Sequence, residues 1–253
     1  MTAFVKMHGL GNDFVIFDAR DAALSLTPDQ ARAVADRHFG IGCDTIVIMR
    51  PGDADTDAFV QFINADGSES GACLNATRCV ARLLMEERGH TRIKLATKAG
   101  LLIGSDAGKG LVTIDAGLPR LDWDQVPLAS EVDTTDFPLD MGSGALPVSA
   151  VSMGNPHCVI FVTDTEQAPL TTLGPRIETL SFFPQRTNVE FAQIVSRTRI
   201  RMRVWERGVG VTLACGTGAC ATLVACHLLG LSDREARLDR PGGPLWKIGR
   251  AHV

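Results

Sequence analysis

Two cysteines stand where a thiol could act as an acid or a base. Cys73 and Cys215 each come directly before a stretch whose apolar spacing predicts a helix. The first turn of a helix has unpaired N–H groups and a partial positive charge, which favour a nearby thiolate. A thiol pKa of about 8.5 can fall to ~3.5–7.5 in such a place, so either sulfur could exchange protons near neutral pH. Inert packing of two small residues against glycines is the open alternative.

A pair of such cysteines indicates inversion at one carbon. A thiolate on one face would remove a proton, and a thiol on the other face would deliver one. If the carbon is α to a free carboxylate, two helix N-termini would stabilise the charge that develops on that carboxylate. No lysine stands out as a Schiff-base former, so nothing in the sequence argues for pyridoxal phosphate.

The elements that would position the cysteines occur twice along the chain. In the first series, a helix over 27–40 with Thr27 as its N-cap and a helix over 75–88 are interspersed with strands at about 14–20, 44–51 and 58–68. A polar, Pro-containing connector is expected over about 118–147. A second series then leads through the alternating stretch "SRTRIRMRVWERG" to Cys215 and another helix. The duplication predicts two similar α/β domains, 1–117 carrying Cys73 and 118–253 carrying Cys215, whose helix openings face each other across a cleft.

Composition narrows the class of protein. The 253 residues are 45% hydrophobic and 21% charged, with a formal net charge of −4 and no basic block, so a globular protein without a nucleic-acid partner is expected. No signal core and no apolar run of about 18 residues is evident, so we expect a cytoplasmic location and no membrane partner. Seven cysteines without a C-x-x-C pair argue against a disulfide framework and against a metal site. Four of them are expected to be buried apolar thiols: Cys79, Cys158, Cys220 and Cys226.

Seven short motifs, spread over most of the chain, closely resemble the diaminopimelate epimerase family. They are "KMHGLGNDF" at 6–14, "GIGCD" at 40–44, "NADGSE" at 64–69, C-x-N-x-x-R-C from Cys73, "MGNPHC" at 153–158, "ERG" at 206–208 and "ACGTGACA" at 214–221. The resemblance implies an α/β (α+β) fold of two pseudo-symmetric domains, each a curved, mostly antiparallel sheet or barrel around a central helix, with the active site in the cleft between them. It also implies a cofactor-independent isomerase that interconverts LL- and meso-diaminopimelate for lysine and peptidoglycan biosynthesis.

The resemblance assigns roles residue by residue. It makes Cys73 and Cys215 the acid/base pair and places His157 and Glu206 beside the reaction. The substrate-binding positions it implies are Asn12, Thr45, Asn64, Leu74, Asn75, Asn155, Asn188, Glu206, Arg207, Gly216 and Thr217. Each has a plainer interpretation: the asparagines suit turns, Glu206 and Arg207 could form a solvated ion pair, and His157 could cap its own turn.

The chain departs from the family at four places, the mildest being Ala76 in place of a second frequent Gly. Leu74 replaces a common Gly, which would narrow the pocket or strain the backbone by about 1 kcal/mol, and Thr45 replaces a Gln. The final "KIGRAHV" matches the translation of a sequencing adapter, so we expect a C-terminal half truncated before the family's last strands, with an unpaired sheet edge.

Two other functions stay open beside diaminopimelate epimerisation. One is a proline or hydroxyproline racemase with the same two-cysteine logic, and the other is a catalytically impaired amino-acid-binding relative. The expected partner is a small amino-acid substrate, and a homodimer is left open.

Overall fold

A computed structural model describes residues 3–142 and 144–248 of the chain. The chain divides into two compact units, Met1–Gly117 and Leu118–Val253. The expectation about the C-terminal heptapeptide falls mostly on residues 249–253, which lie outside the described residues. None of the helices in the described ranges is both long enough and apolar enough to cross a lipid bilayer.

The described part of the first unit forms one eight-stranded sheet with two helices. Its elements in chain order are β1 (Val5–Gly9), β2 (Asn12–Asp18), α1 (Pro28–Ala35), β3 (Thr45–Pro51), β4 (Ala58–Asn64), β5 (Glu69–Ser70), α2 (Leu74–Arg88), β6 (Arg92–Thr97), β7 (Gly100–Asp106) and β8 (Val112–Asp115). The strand order is β1-β2-β3-β4-β6-β7-β8, with β5 added to β4. Among the described strands of this unit, β2-β3 and β4-β6 pair in parallel and the other pairs are antiparallel.

Helix α2 is the centre of the first unit. It contacts both edge strands, β1 and β8, as well as strands between them, so the sheet curls around it. The buried face of α2 includes Ala76, Val80 and Leu84, whose helical spacing places them on one stripe against the sheet. Gly89 ends the helix in the left-handed conformation, at φ 67°, which glycine adopts without steric cost. Helix α1 packs against the other sheet face.

The second unit repeats this plan. Its elements are β9 (Phe137–Asp140), β10 (Ala145–Ser152), β11 (Pro156–Phe161), α3 (Leu170–Glu178), β12 (Asn188–Ser196), β13 (Arg199–Glu206), β14 (Gly210–Thr212), α4 (Gly216–Leu228), β15 (Glu235–Asp239) and β16 (Leu245–Ile248). The strand order is β16-β15-β13-β12-β11-β10-β9, with β14 added to β13. The parallel pairs are β11-β12 and β13-β15, each joined through a helix as in the first unit.

The strand pairings confirm the predicted duplication and the α+β fold class. β10 to β16 match β1 to β7 in order and in pairing direction, α3 matches α1, and α4 matches α2. Helix α4 is buried on almost every side, as its largely apolar sequence allows, and it packs against one face of its sheet. The alternating stretch expected as a strand is β13, where outward arginines alternate with buried Ile200, Met202 and Val204.

Two predicted elements need correction. Helix α1 begins as expected, with a capping box between Thr27 and Gln30, but it ends at Ala35 instead of residue 40. The carboxylate of Asp36 accepts hydrogen bonds from the backbone N–H of His38 and Phe39, which turns the chain out of the helix. The expected polar connector over 118–147 is also wrong as a linker, because it includes β9 and supplies buried apolar side chains to the core of the second unit.

Candidate functional site

The two helix-opening cysteines occupy the positions that the sequence predicted. Cys73 is the N-cap of α2 and Cys215 is the N-cap of α4, and both have extended backbone conformations. The Sγ atom of Cys215 accepts a hydrogen bond from the backbone N–H of Gly218 at 3.3 Å. Each sulfur therefore lies at the positive end of a helix, where N–H groups also suit a carboxylate ligand.

Three predicted site residues of the first unit lie together. Asn12 Oδ1 is 4.0 Å from Cys73 Sγ and accepts from Asn75 Nδ2 at 3.3 Å. The amide of Asn12 is held from its other side, because its Nδ2 donates to Asp44 Oδ2 at 2.9 Å. Arg78 donates to Asn75 Oδ1 at 2.6 Å and fixes the second amide in the same way. The cluster has strong hydrogen-bonding groups around one half-buried thiol.

The remaining candidates of the first unit differ in setting. Thr45 and Asn64 are register partners on β3 and β4, so their backbones lie side by side. The Asn64 side chain donates to Ser68 Oγ at 3.1 Å, which is the turn chemistry given as its plainer interpretation. Leu74 is the first residue of α2, 3% exposed, with a helical backbone. The expected backbone strain at Leu74 is therefore wrong, since strain would have required a positive φ.

A chain of polar contacts joins the predicted residues of the second unit. His157 Nε2 lies 3.1 Å from Asn155 Oδ1, and Asn155 Nδ2 donates to Thr217 Oγ1 at 3.4 Å. The Thr217 hydroxyl lies 3.5 Å from Cys215 Sγ. This series of contacts starts on β11, passes through the turn before that strand and ends on the first turn of α4. It therefore links His157 to the sulfur through two intermediate side chains.

The other predicted residues of the second unit border this chain. Asn188 is the register partner of His157 on the neighbouring strand, and its Oδ1 accepts from the backbone N–H of Arg207 at 3.0 Å. Burial lowers the pKa of the half-buried Arg207. Glu206 accepts from the hydroxyl of Thr212, and Gly216 is the first residue of α4.

The environment of Cys215 differs from the expectation for its titration. Burial, followed by the nearby carboxylates of Glu206 and Glu190, raises the pKa of the Cys215 thiol well above its usual range. The hydrogen bonds from Thr217 and from the N–H of Gly218 act in the opposite direction but are outweighed. The prediction of a lowered pKa is therefore wrong for Cys215, because desolvation penalises the thiolate more than the helix terminus favours it. This shift favours the thiol, the form that can donate a proton.

The other cysteines have no comparable setting. Burial raises the pKa of Cys79 to about 11 and of Cys226 to about 12, and it also raises the pKa of Cys158, as expected of apolar thiols. Cys220 differs from the prediction because it is only half-buried. All seven cysteines are free thiols. Among the described residues, no group of three or more His, Cys, Asp or Glu side chains could hold a metal ion.

One buried residue of this region was not singled out from the sequence. Glu190 lies on β12, fully buried, with Oε1 2.7 Å from His157 Nδ1. Its signal was present, since "NVEFAQIV" places a single carboxylate between apolar residues of a strand. A buried carboxylate is costly unless it has a partner, so such a residue indicates a polar cluster. Asp44, the partner of Asn12, was also missed, although it belongs to one of the quoted motifs.

Comparison with known proteins gives one consistent family. The sequence model described as "Diaminopimelate epimerase" matches residues 4–121 and 149–248. The chain is 53% identical to the diaminopimelate epimerase of Rhodospirillum centenum, over 96% of this chain and 84% of that one. It is 50% identical to the enzyme of that name from Acidiphilium cryptum, over 96% and 87% of the two chains. A hydroxyproline epimerase from Agrobacterium vitis has a similar fold, with a TM-score of 0.68 at 15% identity, over 99% of this chain and 83% of that one.

Proposed function

The chain belongs to the diaminopimelate epimerase family, and from this premise we propose that it interconverts LL- and meso-diaminopimelate without a cofactor. The observation that carries the proposal is the match of about half of all residues over nearly the whole chain to proteins of this name. The placement of Cys73 and Cys215 at two helix N-termini supports it. The proposal includes a role in lysine and peptidoglycan precursor synthesis and a cytoplasmic location. Assembly as a homodimer stays a prediction.

In the proposed reaction, the two sulfurs act on opposite faces of one α-carbon. One thiolate takes the α-proton: its S–H bond forms, the C–H bond breaks, and the electron pair passes to the carbon and its carboxylate. The other thiol then delivers its proton to the opposite face, where a new C–H bond forms as the S–H bond breaks. For each turnover the thiol and thiolate exchange places, so proton count and charge balance. Cys215, whose burial favours the thiol, is the proposed donor in the free enzyme.

Developing charge on the substrate carboxylate needs stabilisation, since an α-proton next to a carboxylate is very weakly acidic. The backbone N–H groups of Gly216 and Thr217 in the first turn of α4 are the proposed donors, together with the positive N-terminal end of α2. Asn12, Asn75 and Asn155 already have partners that fix their amides. Amides held in this way are suited to bind the polar ends of an amino acid without reorganising.

The test is incubation of LL-diaminopimelate with the protein in deuterated water, followed by NMR and chiral chromatography. The intact chain should produce the meso form with deuterium at the inverted α-carbon. Cys73→Ala and Cys215→Ala should abolish turnover. Cys220→Ala is the matched control, because this cysteine lies on the same helix as Cys215 and outside the polar chain, and it should retain turnover.

The same assay separates the other functions. L-Proline and trans-4-hydroxy-L-proline replace diaminopimelate in parallel reactions, and turnover of either with none of diaminopimelate would make the chain a proline-type racemase. Binding of diaminopimelate without any deuterium incorporation would make it an amino-acid-binding protein. Full activity in either alanine variant would contradict the two-cysteine mechanism.

A further inference from the structure

Glu190 lies at the end of the polar chain that reaches Cys215. Its Oε1 atom is 2.7 Å from His157 Nδ1, and both side chains are fully buried. From His157 the contacts continue through Asn155 and Thr217 to the sulfur. Glu190 Oε2 is buried and has no hydrogen-bond partner in the part of the chain that the structure describes. A buried carboxylate with one unpaired oxygen is destabilising, so its presence calls for a role other than stability.

The strand geometry explains how these groups converge. In the parallel pair β11-β12, His157 is in register with Asn188, and Val159 is in register with Glu190. Alternate residues of a strand point to the same face, so His157 and Glu190 share a face with Val159. Val159 packs in the core around α4. The carboxylate is therefore directed towards the helix that Cys215 opens.

Gly218 permits a second, direct approach of Glu190 to the sulfur. A Cβ atom at this position would lie 2.5 Å from Glu190 Oε1 and 3.2 Å from Cys215 Sγ. The carboxylate and the sulfur thus lie against the same point of the first turn of α4. Glu190 and Cys215 are therefore connected in two ways. One is the series of polar contacts through His157, and the other runs directly across the space that a Cβ atom of residue 218 would fill.

We propose that Glu190 is a positioning residue of the epimerase reaction: it orients His157, Asn155 and Thr217 around Cys215 and holds that sulfur as the proton donor. The effect on the kinetics with diaminopimelate depends on the proposed function. A carboxylate that accepts from Nδ1 fixes the orientation of the imidazole ring and the face that it presents to Asn155. A two-base inversion needs one thiol and one thiolate at the start of each turnover. A carboxylate that keeps one of the two sulfurs protonated therefore maintains the free enzyme in a reactive state.

The charged and titratable groups around Cys215 come from several elements. Glu206 of β13 and Glu190 of β12 both oppose ionisation of the thiol, and His157 of β11 lies behind Glu190. Arg240, after β15, donates to the backbone carbonyl of Cys215 at 3.2 Å. Removing the charge of Glu190 should therefore make the thiolate form at a lower pH, while Glu206 continues to oppose it.

The experiment measures the rate of alkylation of Cys215 by iodoacetamide between about pH 6 and about pH 11, with the Cys215 peptide quantified by mass spectrometry. Glu190→Gln keeps the shape and removes the charge, so its half-maximal rate should occur at a lower pH than in the intact chain. Glu190→Asp keeps the charge and shortens the reach, so its half-maximal pH should match that of the intact chain. Glu178→Gln is the matched control, because this buried carboxylate lies outside the polar chain and should leave the profile unchanged.

Kinetics with diaminopimelate test the positioning role. In both Glu190 variants kcat should fall about 10-fold or more while KM changes little, because Glu190 acts through His157. An unchanged pH profile in Glu190→Gln would overturn the proposal, as would an equal shift in Glu190→Asp, since the shift would then come from loosened packing. Unchanged kcat in both variants would also overturn it. If the intact chain epimerises nothing, the proposed function fails by itself, and the alkylation profiles still decide whether Glu190 controls Cys215.

Discussion

The geometry of the site decides whether replacement of Gly218 by alanine raises or lowers the free energy of unfolding. An unhindered helical Gly→Ala change stabilises a protein by about 1 kcal/mol through helix propensity. At Gly218 the added Cβ would lie 2.5 Å from Glu190 Oε1 and 3.2 Å from Cys215 Sγ. Glu190 cannot swing away, because it is fully buried and bonded to His157. Overpacking of this kind costs about 1–3 kcal/mol, and weakening a hydrogen bond to a charged group costs a further ~1.5–3 kcal/mol. The expected result is a net loss of about 1.5–5 kcal/mol in the free energy of unfolding.

Urea unfolding followed by circular dichroism measures this difference, with Gly71→Ala as the control. A Cβ at Gly71 would meet Ala99 at ordinary van der Waals distances, 3.5 Å from its Cβ and 3.9 Å from its backbone N, so the control should stay within about 0.5 kcal/mol of the intact chain. The kcat for diaminopimelate should fall about 10-fold or more in Gly218→Ala, because a small displacement of a reacting group is costly. A Gly218→Ala chain that is about 1 kcal/mol more stable and fully active would refute the described packing of Glu190 against the helix.

Two further predictions concern the first unit. Although burial acts to raise it, hydrogen bonds from Arg37 and Lys6 hold the pKa of Asp13 well below its usual range, so this carboxylate stabilises the fold above about pH 4 and progressively less as the pH falls further. Between about pH 6 and about pH 3 the intact chain should therefore lose about 1 kcal/mol more free energy of unfolding than Asp13→Asn does. If the free energy of unfolding depends on pH in the same way for both proteins, the assignment is contradicted. Leu74→Gly should lower the free energy of unfolding by about 3 kcal/mol, because Leu74 is 3% exposed, and should leave KM near that of the intact chain since the backbone N–H is retained. A large fall in KM would show instead that Leu74 narrows the substrate site.

Two elements were missed from the sequence, each for its own physical reason. Strand β1 has little alternation because it is an edge strand, and three of its five residues are exposed. Helix α3 contains Gly174 and Pro175, which locally disfavour a helix. It forms because tertiary packing overrides propensity: a Cβ at Gly174 would lie 2.6 Å from the ring of Trp205, so the glycine allows the helix to lie directly on β13.

The site shows the same division between local and tertiary information. The positions of Cys73 and Cys215 could be predicted because a helix start depends on a short stretch of sequence. The state of Cys215 could not, since its raised pKa comes from burial and from carboxylates on two other strands. Glu190 joins the site only when β11 and β12 pair, and Asp44 meets Asn12 only when the segment before β3 lies beside β2.

The sequence by itself determined the duplication, the helix N-terminus at each of the two cysteines, and the family, because these depend on local pattern and on motif spacing. The tertiary structure decided which groups surround each sulfur and which protonation state Cys215 holds. Those properties depend on desolvation and on contacts between residues far apart in the chain, and neither is encoded in any single stretch of sequence.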